Sequence, residues 1–519
     1  MTARVSLVAL SLLSATRALL SAMGPLLPDT TALDMPSGGC VNSPGSRSAN
    51  CLDAGVFSDA AACAAACDAA SYCSAITWHG PTTGEWAGHC VFRFDGIWVP
   101  AACGARCDHV ASQKTSGWIP GGPPTSAVWR PSALPWGRIK TFWFGANASG
   151  LDNADTLALI ARHSVGGYGW QTGHPGGGSV GIGEELQAQA STHLRDYLDA
   201  TNNSRVQIFE YRQIQVALRL FAQCALAAGD PANAHFFLQD ATGKVCLAGQ
   251  PWGTSDPYWN FSDAGAADWW IDRVIGELAT EGPLTSGGGS VFFDEVDQGE
   301  CGYRGGTCDF SAFNATALQA AKNAVYARQV QAMNAANIVP ILSLDNRWLA
   351  SGNGTALGPP CALPEDDLVA AIKAVGGLWV RFYENWPSTF WQKGSGADIG
   401  AAMINNAIME AAAGIPNVLH TGGKCPDVPP VNVTIPGRLG GELEFAAATY
   451  LIVAGPGTTL SISDDWYDAS FCWHYIFDVD FGAPTGDAVR TGTYTWTRSF
   501  TKATASIDMQ AHSAVVMLL

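Results

Sequence analysis

A chain of 519 residues, 47% of them apolar, is long enough for several domains and for a large core. Its formal net charge of −17, with no run of Lys or Arg, excludes nucleic acid and anionic membrane surfaces as partners, since both demand a basic patch. The 19 tryptophans suit buried aromatics and sugar-stacking faces equally, so composition alone does not separate the two.

Residues 1–22 have the form of an export signal. Arg4 supplies a charged start, residues 5–13 an apolar stretch, and Ala18 and Ala22 small residues where cleavage fits. That stretch is shorter than the ~20 residues a bilayer span takes, which favours a cleaved signal over an anchor. No later run is long enough to span a membrane. Six Asn-x-Ser/Thr sequons, at Asn147, Asn202, Asn260, Asn314, Asn353 and Asn432, agree with a secreted glycoprotein. Eight of the 15 cysteines lie between Cys40 and Cys107. Such density predicts a disulfide framework rather than zinc, because no paired His accompanies Cys63-x3-Cys67 or Cys103-x3-Cys107. The odd total leaves at least one thiol outside an intramolecular pair.

The cysteine module spans 40–118. Within it, residues 59–70 form an Ala-rich helix with Cys63 and Cys67 one turn apart on one face. Two short strands follow at 74–78 and 90–94. Residues 119–136, with Pro120, Pro123, Pro124, Pro131 and Pro135, predict an extended, semi-rigid linker.

From residue 139 the pattern alternates between short apolar runs and helical stretches. Strands are expected at 140–145, 165–171, 206–211, 235–240, 290–294, 338–345, 378–383, 417–420 and 459–463. Helices are expected at 155–163, 184–200, 214–228, 264–281, 316–337, 364–375, 399–413 and 441–454. This repetition predicts an α/β fold, a (β/α)8 TIM barrel over 139–481. An open doubly wound sheet fits less well, because Phe144-Gly145-Ala146-Asn147 is not the Gly-rich phosphate turn such a sheet carries after its first strand. Residues 482–519 alternate in short runs and predict a C-terminal antiparallel β segment.

Chemistry in such a barrel sits at the C-terminal ends of the strands. Acids are frequent there: Glu210 before Tyr211-Arg212, Asp240, Asp294 before Glu295-Val296-Asp297, Asp345 before Asn346-Arg347, Glu384 before Asn385-Trp386, and Asp464-Asp465 before Trp466. A buried carboxylate is costly unless paired, so a barrel that only had to fold would carry apolar residues instead. For any one acid, an ion pair to Arg212, Arg347 or Arg381 stays open. Gly177-Gly178-Ser179-Val180-Gly181 has serine-hydrolase spacing but lies in a Gly-rich loop, not on a strand-to-helix elbow. There is no His-x-His, no His-Glu-x-x-His and no phosphate loop. The loop holding Asp294, Asp297 and Glu300 is too poor in oxygen ligands for calcium. No metal or other cofactor is therefore expected.

Two stretches resemble known families. Cys63-x3-Cys67-x5-Cys73, Ala75-Ile76-Thr77-Trp78-His79 and Cys90-Val91-Phe92-Arg93 resemble a PAN/Apple module. That resemblance implies a helix tied to a sheet by disulfides, and a protein or glycan ligand. Phe292-Phe293-Asp294-Glu295-Val296-Asp297, with Phe481-Gly482-Ala483-Pro484 and Tyr494-x3-Arg498-x-Phe500 behind it, is similar to glycoside-hydrolase barrels from residue 139 onward. It implies cleavage of O-glycosidic bonds without naming a sugar. Cys301 to Cys308 interrupt the path to the next helix and are expected to form a small disulfide loop at the cleft rim.

Glycosidic cleavage uses two carboxyls, one protonated and one ionised. Asp294 is the expected nucleophile or base and Glu384 the proton donor, since their strands stand two apart around the mouth. Alternation sends Asp294 and Val296 to one side and Glu295 to the other. The aromatic surround of Glu384 favours its protonated form. Glu210, Asp345, Asp297 and Asp240 are the rival or supporting acids. Trp170, Tyr211, Arg347, Trp386 and Trp466 are the expected substrate contacts, and the substrate is an extracellular polysaccharide or glycoconjugate. The alternative is a non-catalytic carbohydrate-binding or adhesion protein on a decayed barrel.

Overall fold

Apolar runs of four to seven residues set between helices bury both faces most readily as strands of a parallel sheet. In a computed structural model of the chain, eight of the nine expected runs do so. The structure describes residues 27–28, 30–32, 51–69, 75–79, 87, 89–93, 100–102 and 109–113. From 127 onward it describes all but 146–153, 174–180, 204, 249–255, 280–283, 285–287, 295–306, 308–312, 345–364, 385, 387–395, 423–436, 440–442 and 464–471. The chain divides into two compact units: Met1–Ser126 with Asn334–Asn337, and Ala127–Met333 with Ile338–Leu519.

In the first unit an antiparallel sheet runs in the order Leu27–Pro28, His109–Gln113, Ala75–His79, His89–Arg93, Cys51–Val56. The helix Ala60–Ala69 begins at Asp59, whose carboxylate accepts the backbone N–H of Ala62 at 2.8 Å. Cys63 and Cys67 are fully buried on this helix. Cys63 is bonded to Cys90 on the sheet, and Cys67 is also in a disulfide.

In the second unit the strands are β1 (Phe142–Gly145), β2 (Val165–Tyr168), β3 (Gln207–Gln213), β4 (Ser290–Asp294), β5 (Val339–Ser343), β6 (Val380–Tyr383), β7 (Asn417–Thr421) and β8 (Thr459–Ile462). Every neighbouring pair is parallel. A parallel bridge between Thr141 and Leu460 closes the ring. The described helices that cover it include α1 (Ala154–Ile160), α2 (Gly183–Ala200), α3 (Ala222–Gly229), α4 (Ala264–Trp269), α5 (Ala315–Ala335), α6 (Glu365–Val375), α7 (Gly396–Ala412) and α8 (Glu444–Val453).

The strand expected at 235–240 is not in the barrel. Asp230 caps a 3-10 helix, Pro231–Phe236, by accepting from Ala232. The residues after it pair only through isolated antiparallel bridges, Phe237 with Trp259 and Gln239 with Val245. They belong to a long excursion between β3 and β4, so the runs numbered fifth and seventh along the sequence are barrel strands four and six. The helix expected at 214–228 shrinks to α3. Beyond α4 a π turn, Trp270–Ile275, interrupts the helix expected over 264–281.

Aromatic rings fill the barrel. Phe142 lies 4.8 Å from Phe209 and 5.8 Å from Phe382 across the interior, and Phe292 stands edge-on to Phe382 at 4.8 Å. Space for them comes from Gly167 on β2, where a Cβ would stand 2.1 Å from the Phe209 carbonyl oxygen and 2.6 Å from its ring. The C-terminal segment forms the expected antiparallel sheet from Val489–Arg490, Thr495–Ser499, Ala503–Asp508 and Ser513–Leu518. The short strand Gly437–Arg438 joins its edge. Its buried Trp496, Phe500, Ile507 and Val516 share one hydrophobic cluster with α7 and α8.

Candidate active site

Side chains alternate across a strand, so the inward phenylalanines fix the register of everything above them. Phe209 and Phe292 face inward, and Tyr211 and Asp294 follow them by two on β3 and β4. The Tyr211 ring stacks on Phe292 at 5.9 Å, and its hydroxyl donates to Asp294 Oδ2 at 2.8 Å. Tyr211 is buried and Asp294 half-buried. The carboxylate is thus anchored from below at the C-terminal end of β4.

Glu384 follows inward Phe382 by two and is half-buried in the turn after β6. His420 on β7 holds this turn twice. Its Nδ1 bonds the Glu384 carbonyl at 2.7 Å, and its own carbonyl accepts from Trp386 N at 2.8 Å. Its Nε2 lies 2.9 Å from Ser463 Oγ, and its ring stacks on Phe382 at 6.1 Å. Burial pushes the His420 pKa down to about 4, partly offset by that bond to Glu384. The ring is therefore neutral at ordinary pH. A carbonyl only accepts, so Nδ1 carries the proton and Nε2 accepts from Ser463. Neither His420 nor Ser463 was expected at the site; the one available signal was that the runs at 417–420 and 459–463 end in polar residues.

Other expected site residues fall elsewhere. Glu210 and Arg212 are buried on the outward face of β3, 3.8 Å apart. There Arg212 donates to Gln187 of α2 at 2.6 Å and lies over the Phe221 ring at 4.7 Å. Asp240 is a turn former: its Oδ1 accepts from the Thr242 hydroxyl at 2.6 Å and from Thr242 N and Lys244 N, which together lower its pKa. Trp386 is fully buried in the cluster that holds α7 and α8, edge-on to Tyr383, so it offers no face to a sugar. Trp170 is half-buried in a 3-10 turn after β2. Asp297, Asp345, Arg347 and Trp466 lie outside the described residues, as do Glu295, Cys301, Cys308 and the sequons Asn147, Asn353 and Asn432. Of the remaining sequons, Asn202 and Asn314 are exposed and Asn260 is half-buried.

Arg381 and Tyr383, on the outer face of β6, both bond Glu410 of α7, at 2.8 and 2.9 Å, and fix the strand against its helix. Among the described residues no group of three or more His, Cys, Asp or Glu gathers as a metal site does. None of the described helices is long and apolar enough to cross a membrane.

A family model described as hypothetical glycosyl hydrolase family 15 matches residues 210–504. No curated protein matches the chain. Among solved structures it is similar to the trehalose-6-phosphate hydrolase of Bacillus licheniformis, at 10% identity and a TM-score of 0.36, over 63% of this chain and 65% of that one. It is also similar to the α-galactosidase of Thermus thermophilus (12% identity, TM-score 0.34, 78% and 75% covered). A third is endo-glycoceramidase II of a Rhodococcus species (12%, 0.32, 73% and 91%). The chain spans just under two thirds of the first of these proteins, and likenesses this distant leave substrate and chemistry to the site itself.

Proposed function

The chain belongs to hypothetical glycosyl hydrolase family 15, and on that premise we propose that it hydrolyses O-glycosidic bonds with Asp294 and Glu384 as its working carboxyls. The observation that supports this reading most is the Tyr211–Asp294 hydrogen bond at the C-terminal end of β4. A phenol that donates to a carboxylate stabilises the ionised form, which a nucleophile or base needs. Glu384 stands two strands away, in a turn that His420 holds through the Glu384 backbone carbonyl. In this scheme Glu384 gives its proton to the departing glycosidic oxygen. Asp294 attacks the anomeric carbon, or activates the water that does. Carboxyls about 5 Å apart imply the first course and retention; a wider gap implies the second and inversion.

Asp294→Asn and Glu384→Gln are expected to keep the wild-type melting temperature and to lower turnover by about three orders of magnitude or more. A screen of chromogenic glycosides and of plant, algal and bacterial polysaccharides supplies the substrate for that measurement. Near-wild-type turnover in either variant removes that residue from the mechanism. Binding in the cleft with no release of reducing ends favours the non-catalytic reading instead.

The export signal, the sequons and the cysteine module belong to the same reading: a secreted glycoprotein whose PAN/Apple-like module carries the barrel to a glycan or protein surface. The helix strapped to a sheet strand by Cys63–Cys90 supports the PAN/Apple likeness. Residues 23–125, made alone under oxidising conditions, are expected to fold and to unfold on reduction.

A further inference from the structure

At the end of the barrel opposite the carboxyls, a cleft of about 460 Å³ opens where the chain leads into β1, β2 and β3. Its size suits one or two sugar rings, within the ~300–1,000 Å³ of ordinary ligand sites. The charge of its lining runs against that of the whole chain. Arg138, Lys140, Arg162 and Arg205 face Asp478 and Asp480 in a protein of net charge −17. Both acids are already engaged. Asp478 takes the Trp473 indole N–H at 2.8 Å and Arg162 at 3.8 Å, and Asp480 takes Lys502 and the Gly482 N–H.

Among the described residues, two buried side chains in the lining have fewer partners than their chemistry calls for. Lys140 is 4% exposed, donates to the Pro456 carbonyl and lies 5.3 Å from the centre of the Trp136 ring. One carbonyl satisfies one of three N–H groups. No carboxylate among the described residues offsets its burial, which lowers its pKa to about 8 and leaves it charged at neutral pH. His163 is 3% exposed, and neither ring nitrogen has a hydrogen-bond partner. Burial, with Arg162 and His474 nearby, pushes its pKa down to about 3. Its ring packs edge-on to Trp473 at 5.3 Å and Phe477 at 6.3 Å, and the three form an apolar wall of the cleft.

We propose that this cleft binds an acidic sugar unit, its carboxylate or sulfate held by Lys140 with Arg138 and Arg205, and its ring beside Trp136. The barrel then grips an anionic glycan at a point remote from the reacting bond. Uronates and sulfate esters share the recognised chemistry, an anion beside hydroxyls on a ring, and the test separates them.

The full chain carrying Asp294→Asn and Glu384→Gln, which removes turnover, is titrated calorimetrically with methyl glucuronide, methyl glucoside 6-sulfate and methyl glucoside. At least one anion is expected to bind at least about tenfold more tightly than the neutral glycoside, and the tighter anion identifies the source. Adding Lys140→Met is expected to weaken that binding by about tenfold or more, since a buried charge is lost from the contact. Arg205→Ala, at an exposed position that leaves folding alone, is expected to weaken it several-fold and decides the matter if the lysine variant does not fold. Equal affinity for the neutral glycoside overturns the proposal. So does anion binding that neither substitution weakens, or no binding of either anion up to about 50 mM. Hydrolysis by the unsubstituted chain is scored separately, so this cleft and the active site stand or fall independently.

Discussion

At the scale of single residues, the proposed site rests on two hydrogen bonds from neighbouring strands, Tyr211 to Asp294 and His420 to the Glu384 carbonyl. Tyr211→Phe keeps the ring that packs on Phe292 and removes only the hydroxyl. Losing a donor to a carboxylate disfavours its charged form, so the acidic limb of the kcat profile is expected to move to higher pH, with kcat roughly tenfold lower. His420 makes a second prediction. Its folded pKa, about 4, lies below the ordinary 6.5. From about a unit above pH 6.5 both folded and unfolded chains hold it neutral and its contribution to stability is complete. As pH falls toward 4 the unfolded chain takes up the proton first, and stability drops by a few kcal/mol, as it also does for His163. Denaturant midpoints measured between pH 7.5 and 4 are expected to fall, and to fall less steeply in His420→Asn. Asp294 and Glu384 were legible as acids at strand ends. His420 was not, because its role comes from what β6 and β8 set beside it. Trp386 was misplaced because aromatic character does not tell which way a turn faces.

At the scale of elements, strand positions were readable wherever an apolar run lay between two helices. The run at 235–240 misled because its apolar residues find antiparallel partners within the β3–β4 excursion, and no local pattern distinguishes that from a barrel strand. The motif Tyr494-x3-Arg498-x-Phe500 was visible, yet its use was not. Arg498 Nη1 donates to the carbonyls of Leu451, Ile452 and Ala454, at 3.1, 3.4 and 2.7 Å, and so caps the C-terminal end of α8. Arg498→Ala leaves those carbonyls unsatisfied, and a loss of roughly 1–3 kcal/mol is expected in chemical unfolding. Gly167→Ala forces a methyl group into the Phe209 ring and carbonyl. A similar or larger loss of roughly 1–3 kcal/mol follows, with the near-ultraviolet dichroism of the stacked rings weakened.

At the scale of the whole molecule, the class of fold was the most legible property, since eight parallel strands alternating with helices have few ways to bury their faces. The odd cysteine count is matched by Cys224, a free and buried thiol among the described residues. Less legible was how the barrel's two ends are joined. Trp129 is buried and donates to the Gly457 carbonyl, 328 residues further along the chain. Gly137 bridges to Gly482, and Leu460 bonds back to Lys140. On a ribosome adding about 5–20 residues per second, the first strand therefore waits on the order of tens of seconds for its final neighbour to emerge. Throughout that interval the edge of β1 that faces β8 has no strand to pair with. Until β8 is made, the edge that later bonds Leu460 is open to other partners, the aggregation risk that unpaired strand edges carry.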